Sequence, residues 1–126
     1  MNIGKVISGF FIILAMTLNF GFFYGDPGDL TEHSRYELFA AIVVNLIATV
    51  LKLGDKTQMG SVLLATSLVA DIQLIASASI WAIGLYGLGG LNKEMTIAIV
   101  SLSGGALLAN ITSVVLFVGE TLKSKR

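Results

Sequence analysis

The chain has no cysteine, which excludes disulfides, thiolate metal sites and thiol nucleophiles. A single histidine is too few for a histidine-based metal centre, and its isolation argues against a Ser–His–Asp arrangement. Charge is scarce as well. Asp, Glu, Lys and Arg make up 13% of the 126 residues, about half of what a soluble domain uses to solvate its surface. The charges cancel, 8 basic against 8 acidic, so no basic field exists to gather nucleic acid. Strand-like alternation of polar and apolar residues is missing too.

What the chain has instead is apolar length. Hydrophobic residues make up 55% of it, and the mean hydropathy is +0.86. Four stretches, at about 3–24, 36–53, 61–86 and 95–118, each approach the roughly 20 residues that cross a hydrocarbon core of about 30 Å. Backbone in lipid must satisfy its own hydrogen bonds, so each stretch is expected to be a helix. Lys5 precedes the first apolar run as in a signal peptide. Phe22-Phe23-Tyr24, however, stands where a small-residue cleavage site belongs, and the run reads as a retained helix. The breaks are short: Gly25–Asp29, where Pro27 fixes φ and Gly28 is expected to supply a positive φ, then Gly54–Lys56 and Gly87–Asn92. Short connections make consecutive helices antiparallel neighbours. The expected fold is one all-α transmembrane domain over residues 1–126, a four-helix up-down-up-down bundle.

Lys5, Lys52, Lys56, Lys123, Lys125 and Arg126 would share one side of the membrane, against Arg35 and Lys93 on the other. Basic residues favour the cytoplasm, so both ends are expected inside. The acidic first loop, with Asp26, Asp29, Glu32 and Glu37, then faces out. Phe20, Phe22, Phe23, Tyr24, Tyr36, Phe39, Trp81 and Tyr86 all fall at outer helix ends, where amphipathic rings favour the headgroup level. So strong a bias implies one fixed orientation, and any homo-oligomer should be parallel.

Asp71 is the residue most suggestive of chemistry. It lies about ten residues from the inner end of the third helix, close to the midplane at about 1.5 Å per residue. An acid there costs roughly 2.5–3.5 kcal/mol on insertion scales. A turn centred near Gln58 places Asn45 level with it, and one near Gly90 places Asn110 level with it. Ser67 shares its helix face. Asp71, Asn45, Asn110 and Ser67 are therefore the candidate proton or cation site. The plainer reading has a protonated Asp71 bonding an Asn and holding helices together, as Asn19 is expected to do nearer the outer end of the first helix. The fourth helix has two small faces, Ser103, Ala106, Asn110 and Ser113 on one and Ser101, Gly105, Ala109 and Thr112 on the other. They suit close packing inside the bundle and against a second subunit.

The inner turn Gly54-Asp55-Lys56-Thr57-Gln58 resembles a motif of the calcium/manganese cation–proton exchangers, in which a Glu and an Asp form a cation site. Here Lys52 stands where that Glu belongs, and a cation would be repelled. The plainer reading makes Asp55 or Thr57 the cap of the third helix and Lys52 and Lys56 anchors at an anionic headgroup surface. Asp29 or Thr31 is the expected cap of the second helix. Glu32, His33 and Glu37 could approach a divalent ion loosely, but a solvated loop is the simpler expectation; no metal and no cofactor is expected.

Leu18-Asn19-Phe20-Gly21, the run from Tyr36 to Leu51, Gly54-Asp55-Lys56-Thr57-Gln58 and the run from Leu63 to Asp71 resemble an uncharacterised family of small four-helix bacterial inner-membrane proteins. The resemblance implies a location in that membrane and a fold, and carries no chemistry. The functional expectation is a non-enzymatic component of cation or proton transport. The alternative is an accessory subunit packed against a larger channel or transporter.

Overall fold

Each helix begins where the sequence supplies a side-chain oxygen for a free N–H group. Asn2 Oδ1 accepts from Lys5 N (3.2 Å), Ser34 Oγ from Glu37 N (3.3 Å), Thr57 Oγ1 from Gly60 N (3.0 Å) and Asn92 Oδ1 from Met95 N (2.7 Å). The computed structural model describes residues 1–124. It has four α-helices, α1 (Ile3–Phe23), α2 (Arg35–Lys52), α3 (Gln58–Ala82) and α4 (Lys93–Ser124), and no strand among the described residues. Lys125 and Arg126, counted above toward orientation, lie outside the described residues.

These caps explain where the boundaries differ from the sequence reading. Thr57 starts α3 at Gln58 rather than 61. Ser34, not Asp29 or Thr31, caps α2, because Asp29 is engaged in capping a separate 3-10 turn, Leu30–Glu32. Positive φ falls on Gly25 (122°) rather than Gly28; the Gly28 N–H is held by Asp26 Oδ1 at 2.9 Å, which fixes that turn without it. At the far end α3 widens into a π-helical turn, Ile83–Gly87. Gly89 (φ 77°) and Gly90 (φ 151°) then reverse the chain into α4.

His33 is not solvated as expected. It is 4% exposed, with Nδ1 2.6 Å from the Phe22 carbonyl oxygen and Nε2 2.8 Å from that of Asp26. The ring closes the end of α1, where carbonyls lack helical partners, and packs on Phe22. The first loop is thereby tied down at the α1–α2 junction.

Consecutive helices pack on one another and α1 also packs on α4, closing the bundle. The α3–α4 seam is built from small residues. Thr66 and Ser113 hydroxyls meet at 2.5 Å, Ser77 Oγ donates to the Ile99 carbonyl at 2.8 Å, and Gln73 lies over Gly105. Phe22, Leu38, Ala41, Ala70, Leu74, Ile99 and Ala106 form the apolar core. Large apolar side chains such as Phe10, Ile72, Leu108 and Val115 point outward. Three helical segments, Ile3–Phe23, Gln58–Gly87 and Lys93–Lys123, are long and apolar enough to cross a membrane. α2, with 18 residues, carries Arg35, Glu37 and Lys52 near its ends.

Candidate functional site

Along α2 the buried positions Leu38, Ala41, Asn45, Thr49 and Lys52 recur at three- and four-residue spacing, one stripe facing the rest of the bundle. Its outer part is apolar and its inner part polar. Opposite the polar part stand Ser67 and Asp71, one turn apart on α3 and 3% and 5% exposed.

The Thr49 hydroxyl lies 2.5 Å from Asp71 Oδ2 and 2.8 Å from the carbonyl oxygen of Asn45. The Asn45 side chain turns away and donates to the Ala41 carbonyl at 2.7 Å. The residue that meets Asp71 across the hairpin is therefore Thr49, one turn nearer the inner end than Asn45. The connection between α2 and α3 is not symmetric: α3 starts deeper on the inner side than α2 ends, which shifts the register by that turn. Asn45 supplies its backbone oxygen to the cluster through Thr49. The other Asp71 oxygen, Oδ1, is buried and has no hydrogen-bond partner among the described residues.

Lys52 is where the sequence reading is corrected. Expected as a headgroup anchor, it is 7% exposed, and its ammonium donates to Ser67 Oγ within electrostatic range of Asp71. Its place on the Leu38–Thr49 stripe turns it inward, and the polar partners on α3 make that burial tolerable. Beside it a cavity of about 300 Å³, lined by Lys5, Ser8, Lys52, Asp55 and Glu120 among others, indents the inner end of the bundle. Asp55 at its rim is held below the usual carboxylate range by bonds from the Thr57 hydroxyl and N–H.

Asn110 is not part of this cluster's hydrogen bonding. Oriented to satisfy its neighbours, the Asn19 amide (0% exposed) donates to the Ser103 carbonyl at 2.9 Å and accepts from Asn110 Nδ2 at 3.0 Å. This pair joins α1 to α4. Asn19→Ala should strand the Asn110 amide and cost about 1 kcal/mol, read by reversible unfolding in detergent; no loss of stability would show that the pair does not hold the helices. Gly105 and Ala109 face into the bundle, Gly105 beneath Gln73, while Ser101 and Thr112 are exposed. The second small face of α4 is thus divided between the core and the outside.

No curated protein and no solved structure matches the chain significantly. A family model described as "Family of unknown function (DUF6394)" matches residues 32–121, which takes in Thr49, Lys52, Ser67 and Asp71 and leaves α1 outside. The chain belongs to this family of unknown function.

Proposed function

We propose that this chain is a multi-pass protein of a bacterial inner membrane, crossing it four times with both ends in the cytoplasm, and that it takes part in moving protons through Asp71. One observation carries the reading: the single Thr49 hydrogen is shared by two acceptors, Asp71 Oδ2 and the Asn45 carbonyl. With Asp71 ionised, Thr49 donates to the carboxylate. With Asp71 protonated, the carboxyl donates to Thr49, which donates to Asn45. Both proton states keep a satisfied bond at Oδ2, so a proton can be taken up without moving a helix. Lys52 directs this toward protons rather than metal cations, since its ammonium already supplies the positive charge near the carboxylate. The cavity beside Lys52 supports access from the cytoplasmic end.

A second reading has its own observation. On the outer side of the cluster the core is filled by Phe22, Leu38, Leu74 and Ile99, and the buried Asn19 and Ser77 there are bonded to the α4 carbonyls of Ser103 and Ile99. An accessory subunit bound to a larger membrane protein, using the outward Ser101 and Thr112 of α4, needs no path through this packed half. The test is flux by the purified chain in liposomes, followed with an internal pH dye. Its orientation is checked by labelling single cysteines introduced into the cysteine-free chain at Gly28 and Gly54. Correctly inserted protein that passes no protons would rule out transport by the chain alone and favour the accessory reading.

A further inference from the structure

At the opposite end of the molecule a slot of about 200 Å³ opens sideways between α2 and α3. Its floor includes Leu38, Ile42, Ala78 and Trp81, and its mouth is formed by Arg35 and Tyr86. From Arg35 to Ile42, and from Tyr86 to Ala78, it runs about 10–12 Å along the helices at 1.5 Å per residue. The guanidinium at the mouth lies over the Tyr36 ring and has no carboxylate within ion-pair distance among the described residues. The neighbouring acid on the same helix, Glu37, is turned against Gly21 of α1.

A ligand that fits has an anionic head for Arg35 and a slender apolar tail for the slot beneath it. We propose that this slot binds a phospholipid of the outer leaflet with an anionic headgroup, its phosphate at Arg35 and part of one acyl chain over Trp81. The proposal rests on the reading that the chain spans a bilayer. An arginine set among aromatic rings at the headgroup level is suited to that phosphate. The slot's direction, along the helices toward the midplane, suits an acyl chain and not a folded partner.

Trp81 is the single tryptophan, so its fluorescence reports on the slot directly. The protein is reconstituted in phosphatidylcholine vesicles, and lipid with brominated acyl chains is added as phosphatidylglycerol or as phosphatidylcholine. The expected result is half-maximal quenching at an about fivefold lower mole fraction of the anionic lipid, the preference one cationic side chain confers. Arg35→Gln should bring that ratio to about one, Lys93→Gln should leave it unchanged, and Ala78→Phe, which fills the slot, should reduce quenching by both lipids. Equal quenching by the two lipids in the native protein overturns the site, as does a ratio unmoved by Arg35→Gln or lost equally in Lys93→Gln. Absence of quenching by either lipid would instead overturn the bilayer reading on which the site rests.

Discussion

Liposomes containing Asp71→Asn are expected to lose the proton flux of the native chain by about a hundredfold or more, the loss typical when the group that itself passes a proton is removed. The substitution is nearly isosteric. An Asn amide oxygen still accepts from Thr49, and an NH₂ group takes the place of one carboxyl oxygen. The hydrogen bond that ties α2 to α3 at 2.5 Å therefore survives and helical content should not change, while Lys52, left without its countercharge, lowers the stability. What is lost is the dissociable proton, and with it the alternation of donor and acceptor between Asp71 and Thr49. Thr49→Val, which keeps shape and removes the hydroxyl, should reduce flux less, because the acid remains and only its relay to Asn45 is gone. A native rate in Asp71→Asn would remove the carboxyl from any transport role and leave it a structural one.

Lys52→Met should be among the most destabilising single changes in the chain. The methionine fills similar space, but Asp71 then keeps its burial and loses the nearby ammonium, and Ser67 loses its donor. Removing one partner of a buried charge pair in direct contact typically costs roughly 3–5 kcal/mol. Lys52 and Asp71 are not within ion-pair distance, so the loss should fall at or below the lower end of that range. The carboxyl can limit the loss by taking up a proton, so the defect should shrink as the pH is lowered. Adding Asp71→Asn to Lys52→Met should restore much of the stability, since no charge is then left alone in the bundle. The double-mutant cycle, measured by reversible unfolding in detergent, tests this. If the two single losses merely add, within the roughly 0.3–0.5 kcal/mol expected of independent sites, the two side chains are not coupled and the cluster is not a unit.

The helices were legible because their signals are local. Apolar runs of the right length and capping residues such as Thr57 sit next to the backbone they act on. Most of the α2–α3 pairing was legible too, through the position of Asp71. The one-turn error that named Asn45 instead of Thr49 came from treating the turn as symmetric; loop geometry, not helix periodicity, decides that register. Lys52 was readable in principle. It falls three residues after Thr49 on the same stripe as Leu38, Ala41 and Asn45, but its charge and its nearness to a loop favoured an anchoring role. The Asn19–Asn110 pair was beyond hairpin reasoning, because α1 and α4 are not consecutive and no connecting turn fixes their relative height. His33 was misread for a related reason: nothing local in the loop indicates that its partners are the carbonyls of Phe22 and Asp26.

Lys52 differs from every other member of its cluster in having a long, flexible stem with several rotatable bonds. It lines the neighbouring hollow as well, so it can leave Ser67 for that side by rotamer changes alone, with no helix moving. On the opposite side, a path can open only if whole helices shift and interlocked rings and branched side chains repack, which is slower by orders of magnitude. If protons do cross, the two faces are guarded by barriers of different kinds, a swinging arm within and a packed wall without. Stiffening the lipid should then slow exchange with the outside far more than exchange with the cytoplasm.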